Sequence, residues 1–179
     1  RAPRSPLARA ALRLAHGVSW LSRGAAVLAA VLMVYVLAHI LYEIVLRVFF
    51  SSSTFVLDEF VGYAVGAMTF LALAHTLDHG THIRVDLAIG RLRGRARRIG
   101  ELFSVVATFA VTLFALSALW KTWMRNIERG AVSESVAEVP LWIPQAGLIL
   151  GLVLLLLQLF AYAVRLVLGE TPQGGAGAE

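Results

Sequence analysis

Four long apolar runs separated by short polar connections dominate the chain, and their lengths decide the fold class before any single residue is considered. They cover residues 24–50, 57–77, 99–124 and 141–168. Each reaches or exceeds the roughly 20 residues needed to cross a hydrocarbon core about 30 Å thick. Backbone N–H and C=O groups cannot face lipid unpaired, so runs of this length must be α-helical. The pattern predicts an all-α integral membrane protein with four transmembrane helices. Ahead of the first run, Leu7, Ala11, Leu14, Val18 and Leu21 are interleaved with Arg9, Arg13 and His16. That mixture predicts a short interfacial helix lying on the membrane surface. The expected organisation is a basic interfacial segment over 1–22, a four-helix membrane domain over 23–169 and a disordered tail over 170–179. The tail, with Gly174-Gly175-Ala176-Gly177, has nothing to bury. No small-residue cleavage pattern follows the first apolar run, which therefore reads as a retained helix and not as a signal peptide.

Composition agrees. Hydrophobic residues make up 59% of the chain and charged residues only 15%, against about one quarter charged in soluble domains. The chain has no cysteine, which excludes disulfides, thiolate metal sites and Cys nucleophiles. A net charge of +5 could suggest nucleic acid, but the basic residues lie beside the apolar runs, as at an anionic membrane surface.

Their placement also orients the chain. Arg1, Arg4, Arg9, Arg13 and Arg23 precede the first run, and Arg84, Arg91, Arg93, Arg95, Arg97 and Arg98 follow the second. Residues 51–56, between runs one and two, contain neither Lys nor Arg. Arg125 and Arg129 after run three are offset by Glu128, Glu134 and Glu138. Basic connections stay in the cytoplasm, so both termini are expected inside. Trp120, Trp123 and Trp142 then fall near the outer interface. Arg91, Arg93, Arg95, Arg97 and Arg98 are expected to contact anionic lipids, and the absence of aromatic residues for base stacking argues against nucleic acid.

Several constellations carry possible chemistry. Tyr35, His39, Glu43 and Arg47 recur every four residues along one side of the first helix. Glu43 preceding Arg47 is the favourable order for an ion pair, and Arg47 is also expected within reach of Asp58 or Glu59 across the hairpin. The readings are a headgroup-level pair, a contact with a partner protein or a proton relay. Asp58 and Glu59 open the second helix, where carboxylates complement the helix dipole. Gly62-x-x-x-Gly66 and Gly147-x-x-x-Gly151 are small-residue faces suited to close helix packing, and Ser104, Thr108 and Thr112 add a mildly polar stripe to the third helix.

His75, His79 and His82 cluster near Asp78 and Asp86 at the end of the second helix. Gly80 interrupts that helix, so a solvated helix end is preferred to a metal site. A haem held by two His residues, as in a membrane anchor subunit of a respiratory oxidoreductase, is the alternative functional class. Depth opposes it, because His39 lies mid-span and His75 close to the inner surface. No catalytic constellation and no cofactor site is expected, which leaves a non-enzymatic membrane subunit.

A more specific pattern runs from the first helix into the connection after the second. Tyr42-Glu43-Ile44-Val45-Leu46-Arg47 is followed by a serine-bearing loop, by Asp58-Glu59 opening a helix, and by His82-Ile83-Arg84-Val85-Asp86. Ser135-Val136-Ala137-Glu138-Val139-Pro140-Leu141-Trp142-Ile143-Pro144 leads into the fourth helix. Together they resemble the small membrane subunit (DctQ type) of tripartite ATP-independent periplasmic (TRAP) transporters. Where that family often has an aromatic residue before the acidic pair, this chain has Leu57.

The resemblance implies a scaffold subunit in the bacterial inner membrane. Its partners would be a large TRAP membrane subunit, which carries the substrate and the coupling sodium ions, and a periplasmic substrate-binding protein that delivers an organic acid. It further implies structural or interfacial roles for Glu43, Arg47, Asp58, Glu59, His82, Arg84 and Asp86.

Overall fold

The computed structural model describes residues 6–78 and 95–167, with side chains described over 17–77, at 100 and over 102–164. Among the described residues it is all-α, with four helices: α1 (Pro6–Phe50), α2 (Leu57–Asp78), α3 (Arg95–Arg129) and α4 (Trp142–Val167). All four are long and apolar enough to cross a membrane, with candidate spans Gly17–Phe50, Leu57–Leu77, Leu102–Arg129 and Trp142–Val164. Among the described residues the one β feature is an isolated antiparallel bridge between Val132 and Pro140.

The basic N-terminal segment departs from the expectation of a separate interfacial helix. From Pro6 onward it is continuous with the first span in one helix of 45 residues. At 1.5 Å per residue this is about 67 Å, more than twice the thickness of a hydrocarbon core. The reason is local: after Pro6 the segment is rich in Ala, Leu and Arg, all strong helix formers. Gly17 and Gly24 each cost only about 1 kcal/mol relative to Ala, too little to break a hydrogen-bond ladder that no proline interrupts.

The remaining helix ends follow from their sequences. Val56 caps α2, its carbonyl accepting the Phe60 N–H at 3.1 Å, and Asp58 and Glu59 occupy the first turn. Helix α3 ends in a Schellman motif: Gly130 N–H donates to Ile127 O (3.2 Å) and Ala131 N–H to Asn126 O (3.0 Å). This places Gly130 at a φ of 57°, a left-handed conformation that glycine adopts without Cβ strain. Pro144 sits in the first turn of α4, where few intrahelical donors are lost.

The helices do not form a symmetric bundle. Helix α4 packs against all three others, α1 also packs against α2, and α3 lies closely against α4 alone. One apolar core joins Ala25 and Ala29 of α1 to Leu71 and Ala74 of α2 and Leu154 of α4. A second joins Val105 of α3 to Leu155 and Leu159 of α4, with Phe109, Leu73 and Leu77 against it.

The two glycine motifs behave differently. A Cβ on Gly151 would come within 2.5 Å of the Phe70 carbonyl carbon, and one on Gly147 within 3.0 Å of Ala67 Cβ. These two glycines set the close approach of α4 to α2. Gly66 faces Leu148 at ordinary contact distance, whereas nothing lies within 4 Å of a Cβ on Gly62. Internal packing therefore accounts for three of the four glycines, and Gly62 faces open space. The polar stripe of α3 divides in the same way: Thr112 is buried and donates to Thr108 O at 2.7 Å, while the Thr108 side chain is exposed.

Candidate functional site at the loop end of the bundle

The α1–α2 and α3–α4 connections emerge at the same end of the bundle, and each is held by a carboxylate on a helix. Glu43, about two turns before the end of α1, is only 1% exposed. Its Oε1 accepts hydrogen bonds from Arg47 Nε at 2.9 Å and from the Ser53 hydroxyl. Its Oε2 accepts from Thr54 N–H at 3.1 Å and Thr54 Oγ1 at 2.7 Å. Ser53 Oγ in turn accepts from Phe55 N–H at 3.2 Å. The carboxylate thus holds Ser53 and Thr54 directly and Phe55 through Ser53, in a connection where Ser51 and Phe55 have φ values of 46° and 59°, in the left-handed region. Charge-assisted bonds of this kind are the strong ones, and they offset the cost of a backbone that non-glycine residues seldom adopt.

Glu59, in the first turn of α2, has the corresponding role for the other connection. It accepts from Tyr63 Oη at 2.5 Å and from the Ser135 hydroxyl. Ser135 Oγ also accepts from Ala137 N–H at 3.2 Å, and Ser133 Oγ accepts from Val139 N–H at 3.0 Å. Two backbone bonds close the base of this loop, Ser133 N–H to Val139 O (2.9 Å) and Leu141 N–H to Ala131 O (3.0 Å). Beside it, Trp123 Nε1 donates to Trp142 O at 2.9 Å and Asn126 Nδ2 to Gln145 Oε1 at 3.0 Å, tying α3 to α4.

The expected Glu43–Arg47 pair is present, but asymmetrically: the carboxylate is buried and the guanidinium side chain is 61% exposed. The expected reach from Arg47 to Asp58 or Glu59 is not realised as an ion pair. Arg47 is turned to Glu43 and Ser53, at 3.4 Å from the latter, while Glu59 is engaged by Tyr63 and Ser135. Asp58 is exposed and, among the described residues, has no ion-pair partner.

Tyr35 and His39 meet at 3.1 Å between Oη and Nδ1, and the His39 ring stacks on Phe60 (6.3 Å, 12°). Phe60 then meets Tyr63 edge-on. The row leads from α1 toward Glu59, with the apolar Phe60 ring standing between His39 and the Tyr63–Glu59 pair. Phe60 and His75 are 15 positions apart on α2, about 22 Å along the axis at the helical rise. His39 and His75 consequently do not share one iron.

Among the described residues no group of three or more His, Asp, Glu or Cys side chains could hold a metal. His82, Arg84, Asp86, Arg91 and Arg93 lie outside the described residues. Arg95, Arg97 and Arg98 are in the first turn of α3, with their side chains outside the described set. Phe60, Tyr63, Ser53, Thr54 and Ser135 were not singled out from the sequence. Hydroxyls in loops are too common to signal a role until a carboxylate is found beside them.

The family model for tripartite ATP-independent periplasmic transporters, DctQ component, matches residues 36–169. The chain belongs to the DctQ family. The match includes both carboxylate-held connections and all of α2, α3 and α4. No curated protein and no solved structure matches the chain. As a DctQ component with four membrane-spanning helices it is a multi-pass inner-membrane subunit of a TRAP transporter, and it is not an enzyme.

Proposed function

We propose that this DctQ component is the fixed scaffold of a sodium-coupled importer. A larger membrane subunit carries the organic acid and the sodium ions, and a periplasmic binding protein delivers the substrate. In this reading both termini are cytoplasmic and the two carboxylate-held connections face the periplasm, where they form part of the surface that meets the binding protein. Glu43, Arg47, Asp58, Glu59, Gly62 and the His82-Ile83-Arg84-Val85-Asp86 segment have structural or interfacial roles, and the arginines over 91–98 contact anionic lipids.

The observation that carries the proposal is the use made of the polar groups at the loop end. Glu43 and Glu59 direct their oxygens to loop hydroxyls, to the Thr54 N–H and to the Tyr63 hydroxyl. The described helices are also continuous through their apolar spans, whereas transporter binding sites are usually built on discontinuous helices. The deciding assay is sodium-driven uptake into proteoliposomes containing this chain, the large subunit or both, with the binding protein outside. Uptake is expected only with both membrane subunits present. Saturable uptake with this chain as the sole membrane protein would overturn the proposal.

A further inference from the structure

Between the end of α1 and the start of α2 lies an open cleft of about 630 Å³ whose lining includes Arg47, Ser52, Phe55 and Asp58. Two of its groups carry opposite charges yet are not paired with each other. Arg47 uses two of its five N–H donors on Glu43 and Ser53, and its side chain is 61% exposed. Asp58 has no hydrogen-bond or ion-pair partner among the described residues. Oppositely charged groups on one small cleft would ordinarily close on each other. Here the Glu43 carboxylate, itself fixed by Thr54, keeps the guanidinium on the α1 side. Phe55, which lines the cleft, is 77% exposed, and Phe49 and Phe50 at the end of α1 are 75% and 69% exposed. The cleft lies at the adjoining ends of the candidate spans Gly17–Phe50 and Leu57–Leu77, which the proposed topology puts at the depth of lipid headgroups.

From this arrangement we infer that the cleft binds one zwitterionic phospholipid with a primary ammonium headgroup, phosphatidylethanolamine in type. The free guanidinium N–H groups of Arg47 take the phosphate, for which a planar fork is well suited. Asp58 accepts hydrogen bonds from the ammonium, and the acyl chains lie along the exposed apolar surface of α1 beside Phe49 and Phe50. A quaternary choline headgroup has no N–H to give Asp58, and an anionic glycerol headgroup has no cation for it. The site therefore discriminates by headgroup and not by charge alone.

Native mass spectrometry of the full chain, copurified with its large subunit in detergent, tests this with added phosphatidylethanolamine, phosphatidylcholine and phosphatidylglycerol. The wild type is expected to bind the first roughly fivefold more tightly than either other lipid, the factor a partly exposed ion pair supplies. Asp58→Asn, a change at an exposed and unpaired side chain, should abolish that preference. Arg47→Lys should weaken the site for all three lipids, because an ammonium cannot grip phosphate through two parallel bonds. Soluble glycerophosphoethanolamine should not compete at equal concentration, since it lacks the chains. Equal affinity for the three lipids, a preference that survives Asp58→Asn, or full competition by the soluble headgroup would each overturn the inference.

Discussion

Glu59 of α2 and Ser135 of the α3–α4 connection are 76 positions apart in the chain and joined by a hydrogen bond from the serine hydroxyl to the carboxylate. The contact fixes a loop that belongs to α3 and α4 onto a helix that α3 does not closely touch. Glu43 holds the other connection through a separate set of hydrogen bonds.

If Ser135 organises its loop, Ser135→Ala should raise amide hydrogen exchange at Ala137, whose N–H it accepts. An increase of about twofold to tenfold corresponds to a net hydrogen-bond contribution of about 0.5–1.5 kcal/mol. The same measurement on Val136→Ser, at an 82% exposed side chain, should show no change.

The asymmetry of the Glu43–Arg47 pair predicts an ordering of mutants. Glu43→Ala removes the acceptor for Arg47, Ser53 and Thr54 together and should sharply reduce the yield of folded complex. Arg47→Ala removes one donor from an exposed side chain, and Ser53 and Thr54 still hold the carboxylate, so its loss should be modest. Yields of copurified complex by size-exclusion chromatography check the ordering, and equal losses would mean that the loop hydroxyls do not contribute.

The two glycine motifs should respond in opposite directions. Gly151→Ala forces its Cβ into the Phe70 backbone and should destabilise by about 1–3 kcal/mol, the usual range for overpacking. Gly62→Ala meets open space and should be neutral or stabilising by up to about 1 kcal/mol through helix propensity. Unfolding in a mixed detergent titration measures both. If Gly62→Ala leaves stability unchanged yet lowers copurification with the large subunit, Gly62 lies in the subunit interface.

Topology is tested with reporter fusions. Those at both termini and near Arg95 should report cytoplasm, and those near Ser52 and Ser133 periplasm, because the Lys and Arg content differs between alternate connections. A periplasmic signal near Arg95 would reverse the orientation assigned to the carboxylate-held loops.

The membrane class, the four spans, the approximate ends of α2 and α4 and the family were all legible along the chain. These rest on local properties: the length of each apolar run, helix-compatible residues within it and charge at its ends. Even Glu43 and Arg47 were legible as a pair, because helical spacing places i and i+4 on one side.

What the tertiary structure decided is whatever depends on distance through space. It joined the basic N-terminal segment to the first span, since an interfacial pattern says where charge lies but not whether the backbone breaks. It divided Gly151 from Gly62, although each sits in a Gly-x-x-x-Gly motif, because only the position of Phe70 makes one of them necessary. It buried the Glu43 carboxylate, left the Arg47 side chain exposed and gave Asp58 no ion-pair partner among the described residues. It also gave Ser53, Thr54 and Ser135 their roles, because a serine's partner is set by how the helices pack and carries no trace in its neighbours along the chain.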